Sequence, residues 1–167
     1  IPCEVELASE FRYRDPVVGP RTLVIAISQS GETMDTIMAL RYAREQGAKV
    51  LAICNTQGST IPRESDAVLY THAGPEVAVA STKAFLTQIV ATYLVALFVA
   101  QVRGNKYGDE IQAVVRDLAD MPQKVDLVLD TTEEMKALAA ELKDEPSVLF
   151  IGRHVGFPVA LEGALKL

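Results

Sequence analysis

Thr22-Leu23-Val24-Ile25-Ala26-Ile27, followed by Ser28-Gln29-Ser30-Gly31-Glu32-Thr33, is the stretch that decides the fold. The first half is apolar and rich in β-branched residues, which predicts a central strand that is buried on both faces. Residues 33–46 then have the apolar spacing of an amphipathic helix, with Met34 and Met38 extending its apolar face, and Gly47 suits the position just after its end. The stretch therefore predicts a strand, a polar turn and a helix in succession.

The polar turn between this strand and helix has the chemistry of an anion-binding site. The first N–H groups of a helix have no intrahelical partners, and the helix dipole is positive there. Three hydroxyl side chains, Ser28, Ser30 and Thr33, can donate to phosphate oxygens, and Gly31 allows close approach of the backbone. Ordinary turn and N-cap chemistry explains the same residues, and both interpretations stay open. The turn is neither a Walker A loop nor G-x-G-x-x-G, so a nucleotide is not predicted.

Further strand and helix patterns follow on both sides of this unit. The sequence predicts strands at Lys49–Cys54 and Ala67–Tyr70, with a short helical turn at Ile61–Ser65 between them. Before the unit it predicts a short strand at Cys3–Leu7 and a helical turn at Ala8–Tyr13. Strand–helix–strand units of this spacing favour an α/β fold with a parallel sheet and right-handed crossovers.

The second half of the chain is predominantly helical. A long helix is predicted from about Ser81 to Arg103, buried in the core, because its longest apolar run is too short to span a bilayer. Two or three helices with charged outer faces follow over residues 109–143, then a strand at Ser147–Ile151 and a helix that includes Pro158. Since the carboxyl ends of parallel strands meet at one edge, the Ser28 turn and the segment Val79–Thr82 are expected to line one pocket.

Composition narrows the class of function. The net charge of −6 argues against nucleic acid as a partner, so an anion must be bound by a local site. The two cysteines, Cys3 and Cys54, have no metal-binding spacing and indicate reduced thiols in a cytoplasmic protein. Neither a signal peptide nor a membrane span is predicted.

Three motifs resemble the isomerase half of the glutamine–fructose-6-phosphate aminotransferases, a branch of the sugar isomerase (SIS) domain family. They are Ser28-Gln29-Ser30-Gly31-Glu32-Thr33, Ala80-Ser81-Thr82-Lys83-Ala84-Phe85 and Ala160-Leu161-Glu162-Gly163-Ala164-Leu165-Lys166-Leu167. The resemblance implies a three-layer α/β/α, flavodoxin-like fold with a parallel sheet. It also implies a first SIS domain over residues 1–108 without its first strand–helix unit, a helical connector over 109–145, and the opening of a second SIS domain over 146–167.

The resemblance also implies roles for individual residues. Ser28, Gln29, Ser30 and Thr33 would bind the phosphate of fructose 6-phosphate, glucose 6-phosphate or glucosamine 6-phosphate. Val79 and Ser81 would contact the sugar, and Lys166 would lie near the sugar and take part in ring opening. The family uses no cofactor or metal, and its members are homodimers. One departure is His154, where the family has glycine.

The family's general base, its ring-opening histidine and its Schiff-base lysine are expected beyond Leu167, and its glutaminase domain is expected before Ile1. The chain alone is therefore expected not to make glucosamine 6-phosphate. Glu32 is assigned to complementing the helix N-terminus rather than to catalysis, since a carboxylate beside phosphate is repulsive. Glu162 and Lys166 are expected to form an ordinary helix ion pair. A non-catalytic SIS sugar-phosphate sensor remains the alternative function.

Overall fold

The computed structural model describes residues 1–167, which form two compact units, Ile1–Ala100 and Gln101–Leu167. The division falls before residue 108, where the sequence predicted the end of the first domain. The predicted connector and the predicted opening of a second domain lie together in the second unit. Each unit is described here by itself.

A three-stranded parallel sheet is the centre of the first unit. Its strands are β1 (Leu23–Ser28), β2 (Lys49–Cys54) and β3 (Ala67–Tyr70), in the order β1-β2-β3. Leu23 pairs with Lys49 at one end of the β1–β2 ladder, and Leu51 pairs with Ala67 in the next ladder. These bounds confirm the predicted β2 and β3, and the parallel pairing confirms the predicted α/β class.

Two helices cover one face of this sheet. They are α2 (Met34–Glu45) and α3 (Thr60–Glu64), and α1 (Ala8–Phe11) with a 3-10 turn at Arg12–Arg14 precedes β1. Gly47 follows the end of α2, as predicted. It has φ +86°, and its N–H donates to the carbonyl of Arg44 at 2.8 Å. The buried core between the two helices and the sheet consists of Ala26, Ile37, Leu40, Val50, Ala52 and Ile61.

The side chains on the opposite face of β1 are largely exposed. Leu23, Ile25 and Ile27 are 52%, 40% and 44% exposed, and β1 lies at the edge of the sheet. The prediction of a central strand buried on both faces is therefore wrong for β1 in this chain, because one neighbouring strand and one helical layer contact it. Met34, predicted to extend the apolar face of α2, is also exposed, since it lies in the first turn beyond the sheet.

A long apolar helix, α4 (Lys83–Val102), ends the first unit. It has 20 residues; its most apolar stretch of 18 residues has a mean hydropathy of 1.9, and 11% of that stretch is buried. α4 is long and apolar enough to cross a membrane, so the prediction that its apolar run is too short is wrong. The prediction that α4 is buried is also wrong, because little of the helix is buried. Core helices of soluble proteins meet the same criterion, and length and composition alone do not place α4 in a membrane.

The second unit consists of four helices. They are α5 (Gly108–Ala119), α6 (Met121–Leu129), α7 (Thr132–Leu142) and α8 (Gly156–Lys166). The first three confirm the predicted helical segment, and Pro158 lies in the first turn of α8 as predicted. His154, where the resemblance predicts a glycine, adopts φ +54°, a conformation that glycine adopts without strain.

Two predicted strands do not form. Cys3–Leu7 and Ser147–Ile151 belong to no strand, and all of these residues are exposed. Cys3–Leu7 alternates apolar and charged residues and Ser147–Ile151 is an apolar run, but neither has a neighbouring strand to pair with in this structure. A strand is stabilised by its ladder partners, so composition alone is insufficient.

The ion pair between α2 and α3 makes stability depend on pH. Arg41 donates to the carboxylate of Glu64 at 2.6 and 2.8 Å, which lowers the pKa of Glu64 below its ordinary 4.5. A lowered pKa in the folded state means that the pair stabilises above pH 4.5 and is lost as the pH falls through the folded pKa. We expect Glu64→Gln to destabilise the chain more at pH 7 than at pH 3.

Urea unfolding of both proteins at both pH values measures this difference. Glu141→Gln, which alters an exposed carboxylate on α7, is the control and should show little effect at either pH. An unchanged gap between the wild type and Glu64→Gln at pH 7 and pH 3 would contradict the assignment.

Candidate functional site

The polar turn at the carboxyl end of β1 is held in shape by its own hydroxyl groups. Ser28 is buried, and its Oγ accepts the N–H of Gly31 at 3.0 Å. The Oγ of Ser30 accepts the N–H of Glu32 at 3.2 Å. Since a hydroxyl can accept these bonds and still donate its own proton, both serines retain a donor for an anion.

Thr33 lies at the junction of this turn with α2. Its backbone is extended, its carbonyl accepts the N–H of Ile37 at 3.0 Å, and its side chain makes no capping hydrogen bond. The first N–H groups of α2 have no carbonyl partner within the helix. The turn therefore presents the hydroxyls of Ser28, Ser30 and Thr33 together with the positive end of the helix dipole.

Gly31 is the residue on which the turn depends most closely. It adopts φ +68°, and a Cβ at this position would lie 2.0 Å from Ser59 Oγ and 2.9 Å from Cys54 Sγ. Both of those residues are buried. The sequence predicted that Gly31 allows close approach of the backbone to an anion; in the structure its close neighbours are Ser59 and Cys54.

Gln29 connects the turn to that same segment. Its carbonyl accepts the N–H groups of Asn55 and Thr56 at 3.3 and 3.2 Å. Cys54 Sγ also lies 3.7 Å from this carbonyl, so the buried thiol packs against the turn, consistent with the predicted packing role. Gln29 is half-buried, and its main chain is fixed by these bonds.

The second predicted sugar-contacting segment lies before α4. Val79 is fully exposed and Ser81 is half-buried. Glu76 satisfies donors at the start of α4: it accepts the Thr82 hydroxyl at 2.7 Å and the N–H of Ala84 at 2.9 Å. The hydrogen bond from the Thr82 side chain, and next the bond from the Ala84 N–H, lower the pKa of Glu76.

Lys166, the predicted ring-opening residue, lies in the last turn of α8 in the second unit. Its Nζ lies 2.8 Å from Glu162 Oε1, which confirms the predicted ion pair four residues apart on one helix. The pair keeps the lysine head group on the side of α8 that carries Glu162.

A small pocket of about 140 Å³ lies elsewhere in the first unit, between the end of β3 and α4. Its lining is mainly apolar and includes none of the predicted site residues: Leu69, Tyr70, Thr71, Thr87, Val90, Ala91 and Leu94. It offers few donors for a phosphate, so chemistry favours the Ser28 turn over this pocket as the anion site. No group of three or more His, Cys, Asp or Glu side chains converges on a point that could hold a metal ion.

A parallel α/β sheet with this hydroxyl-rich turn after its first strand belongs to a known class of domain. Residues 1–98 match the family model of the SIS domain, and the chain belongs to that family.

Two curated relatives and one solved structure match most or all of the chain. The chain is 75% identical over all of its 167 residues to the glutamine–fructose-6-phosphate aminotransferase (isomerizing) of Streptomyces coelicolor, and 70% identical over its whole length to that of Corynebacterium diphtheriae. A solved structure, the C-terminal domain of glucosamine-fructose-6-phosphate aminotransferase from Francisella tularensis, superimposes with a TM-score of 0.95 at 40% identity. That match covers 99% of this chain and 47% of the other.

The extent of these matches limits what they establish. The chain spans about a quarter, 27%, of the length of the curated relatives it matches. The comparisons confirm the predicted SIS fold and the resemblance to this enzyme family. The roles predicted for individual residues remain predictions.

Proposed function

We propose that this chain carries the phosphate-binding part of an enzyme that converts fructose 6-phosphate and glutamine to glucosamine 6-phosphate. The observation that carries the proposal is the Ser28–Thr33 turn, whose hydroxyls keep donors available at the N-terminus of α2. The identity of 63–75% to relatives named for this reaction supports an enzyme over a non-catalytic sensor.

The chemistry of the turn suits a sugar phosphate. The chain has a net charge of −6, so an anion gains nothing from the overall field and needs donors aimed at its oxygens. Ser28, Ser30 and Thr33 supply hydroxyl donors, and the side chain of Gln29 supplies an amide. Glucose 6-phosphate and glucosamine 6-phosphate carry the same phosphate and would occupy the same turn.

The remaining predicted residues act on the sugar rather than on the phosphate. Val79 would contact the sugar ring and Ser81 would hydrogen-bond to a hydroxyl of the sugar. Lys166 would assist ring opening by placing a cation near the ring oxygen, with Glu162 holding the ammonium on one side of α8. We further propose that the enzyme is a cytoplasmic homodimer, as the family resemblance implies.

Loss of single donors tests the phosphate assignment. Ser30→Ala and Thr33→Ala each remove a donor to a charged group, which is worth about 1.5–3 kcal/mol, so affinity for fructose 6-phosphate should fall roughly ten- to a hundredfold. The measurement is an NMR titration of the isotope-labelled chain with fructose 6-phosphate and, separately, with fructose. Fructose 6-phosphate should shift the amides of residues 28–33, and fructose should leave them nearly unchanged.

Ser147→Ala and Thr131→Ala are the matched controls, because both hydroxyls are exposed in the second unit. They should bind fructose 6-phosphate as the wild type does. Equal shifts from both sugars, or unchanged affinity in Ser30→Ala and Thr33→Ala, would place the phosphate elsewhere.

A further inference from the structure

Two polar segments lie side by side at the carboxyl edge of the sheet. One is the Ser28–Thr33 turn after β1, and the other is the segment 55–61, which follows β2 and includes the first two residues of α3. Backbone hydrogen bonds join them: Gln29 O accepts from Asn55 and Thr56, and Gly31 O accepts the N–H of Ile61 at 2.9 Å. The shape of the first segment is therefore set partly by the second.

Glu32 adds a charged side chain to this junction. Its Oε1 accepts the N–H of Thr60, the first residue of α3, at 2.7 Å. Ser59 precedes α3 in the N-cap position, but its side chain makes no capping hydrogen bond; its hydroxyl donates to the carbonyl of Thr56 at 2.8 Å. Glu32 thus satisfies an N–H group at the start of α3 that the neighbouring serine leaves open.

The surroundings of the carboxylate hold it in this place. The Thr60 hydroxyl and then the Thr60 N–H lower the pKa of Glu32, and Arg63 contributes a smaller effect of the same sign. Arg63 in turn donates to the Thr60 hydroxyl at 3.2 Å. The negative charge of Glu32 is therefore engaged by the start of α3.

We propose that Glu32 is a positioning residue, whose carboxylate fastens the Ser28–Thr33 turn to the start of α3 and so fixes the donors that receive a sugar phosphate. The proposal rests on the proposed function for its ligand. This role and a purely electrostatic role predict opposite effects on anion binding when the Glu32 carboxylate is removed. A carboxylate that acted only through its charge would weaken the binding of an anion, and removing it would tighten binding.

Substitutions at Glu32 separate these two accounts. Glu32→Gln keeps an oxygen that can accept the Thr60 N–H, so it should bind fructose 6-phosphate within about threefold of the wild type. Glu32→Ala removes the acceptor and should weaken binding about tenfold. Asp35→Asn, which removes an exposed charge from the first turn of α2, measures the effect of charge alone. Binding by Glu32→Ala as tight as wild type, or tighter, overturns the proposal.

Hydrogen exchange gives a readout that needs no ligand. The amides of Thr60 and Ile61 should exchange faster in Glu32→Ala than in the wild type, and at the wild-type rate in Asp35→Asn. If the wild-type chain does not bind fructose 6-phosphate, the proposed function fails, yet this measurement still tests the junction. Equal exchange at both amides in Glu32→Ala and the wild type would show that Glu32 does not hold the turn to α3.

Discussion

Gly31→Ala is expected to destabilise the chain by about 2–5 kcal/mol and to abolish measurable binding of fructose 6-phosphate. At φ +68° an L-residue costs about 1–2 kcal/mol. The added Cβ would also lie 2.0 Å from Ser59 Oγ and 2.8 Å from Ser59 Cβ, where the surrounding residues are buried. Relieving such overlap costs about 1–3 kcal/mol more, because the turn must move away from the segment after β2.

Gly58→Ala isolates the conformational part of this effect. Gly58 adopts a similar φ of +72°, but a Cβ there would meet nothing within 4 Å. It should therefore lose only about 1–2 kcal/mol and keep its affinity for sugar phosphate. Urea denaturation and the same NMR titration measure both properties. Equal losses of stability in the two variants would mean that the contact between Gly31 and Ser59 has no energetic weight.

Leu40→Ala is expected to cost about 2–5 kcal/mol in unfolding free energy through the cavity it leaves. Leu40 is 1% exposed and belongs to the core cluster between α2 and the sheet, with Ile37, Val50 and Ile61. These neighbours lie on three different elements, so the cavity cannot close without moving a helix or a strand. The measurement is urea denaturation, with the slope checked to be unchanged.

Leu127→Ala is the matched control for this prediction. Leu127 lies in α6 and is 68% exposed, so its truncation should change stability by no more than about 0.5 kcal/mol. If both leucines gave the same small loss, the core described between α2 and the sheet would not be the one that stabilises the chain.

Local sequence pattern predicted most of the elements in the first unit, and the reason is that their patterns are complete within a short window. β2 and β3 are apolar runs bounded by turn residues, and α2 has an apolar stripe and a terminal glycine. Exposure was harder to predict, because it depends on what lies across the sheet. β1 and α4 are as apolar as core elements, yet both present apolar side chains to solvent.

The residues of the candidate site could be predicted from the sequence, but the tertiary hydrogen bonds that hold the turn could not. Ser28, Ser30 and Thr33 lie in one turn, so their proximity follows from the chain itself. The bond between Glu32 and Thr60 joins residues 28 positions apart, and no local pattern indicates it. The sequence assigned Glu32 to the N-terminus of its own helix, whereas it accepts from the start of α3. The general expectation was correct, since a carboxylate favours a helix start, but the choice of helix depended on tertiary contacts.

The register between β1 and β2 has a thermodynamic consequence for the turn. Ser28 pairs with Cys54 in the last rung of that ladder, and the turn and its supporting segment begin immediately after this rung. A slip of the ladder by one residue would separate Gly31 from Ser59 and Glu32 from Thr60. Any ligand that requires the intact turn therefore binds only the correctly paired strands, and its binding energy is added to their stability. Ligand binding at the turn is thus coupled to the register of β1 and β2. A rise in the unfolding midpoint with fructose 6-phosphate concentration would measure that coupling.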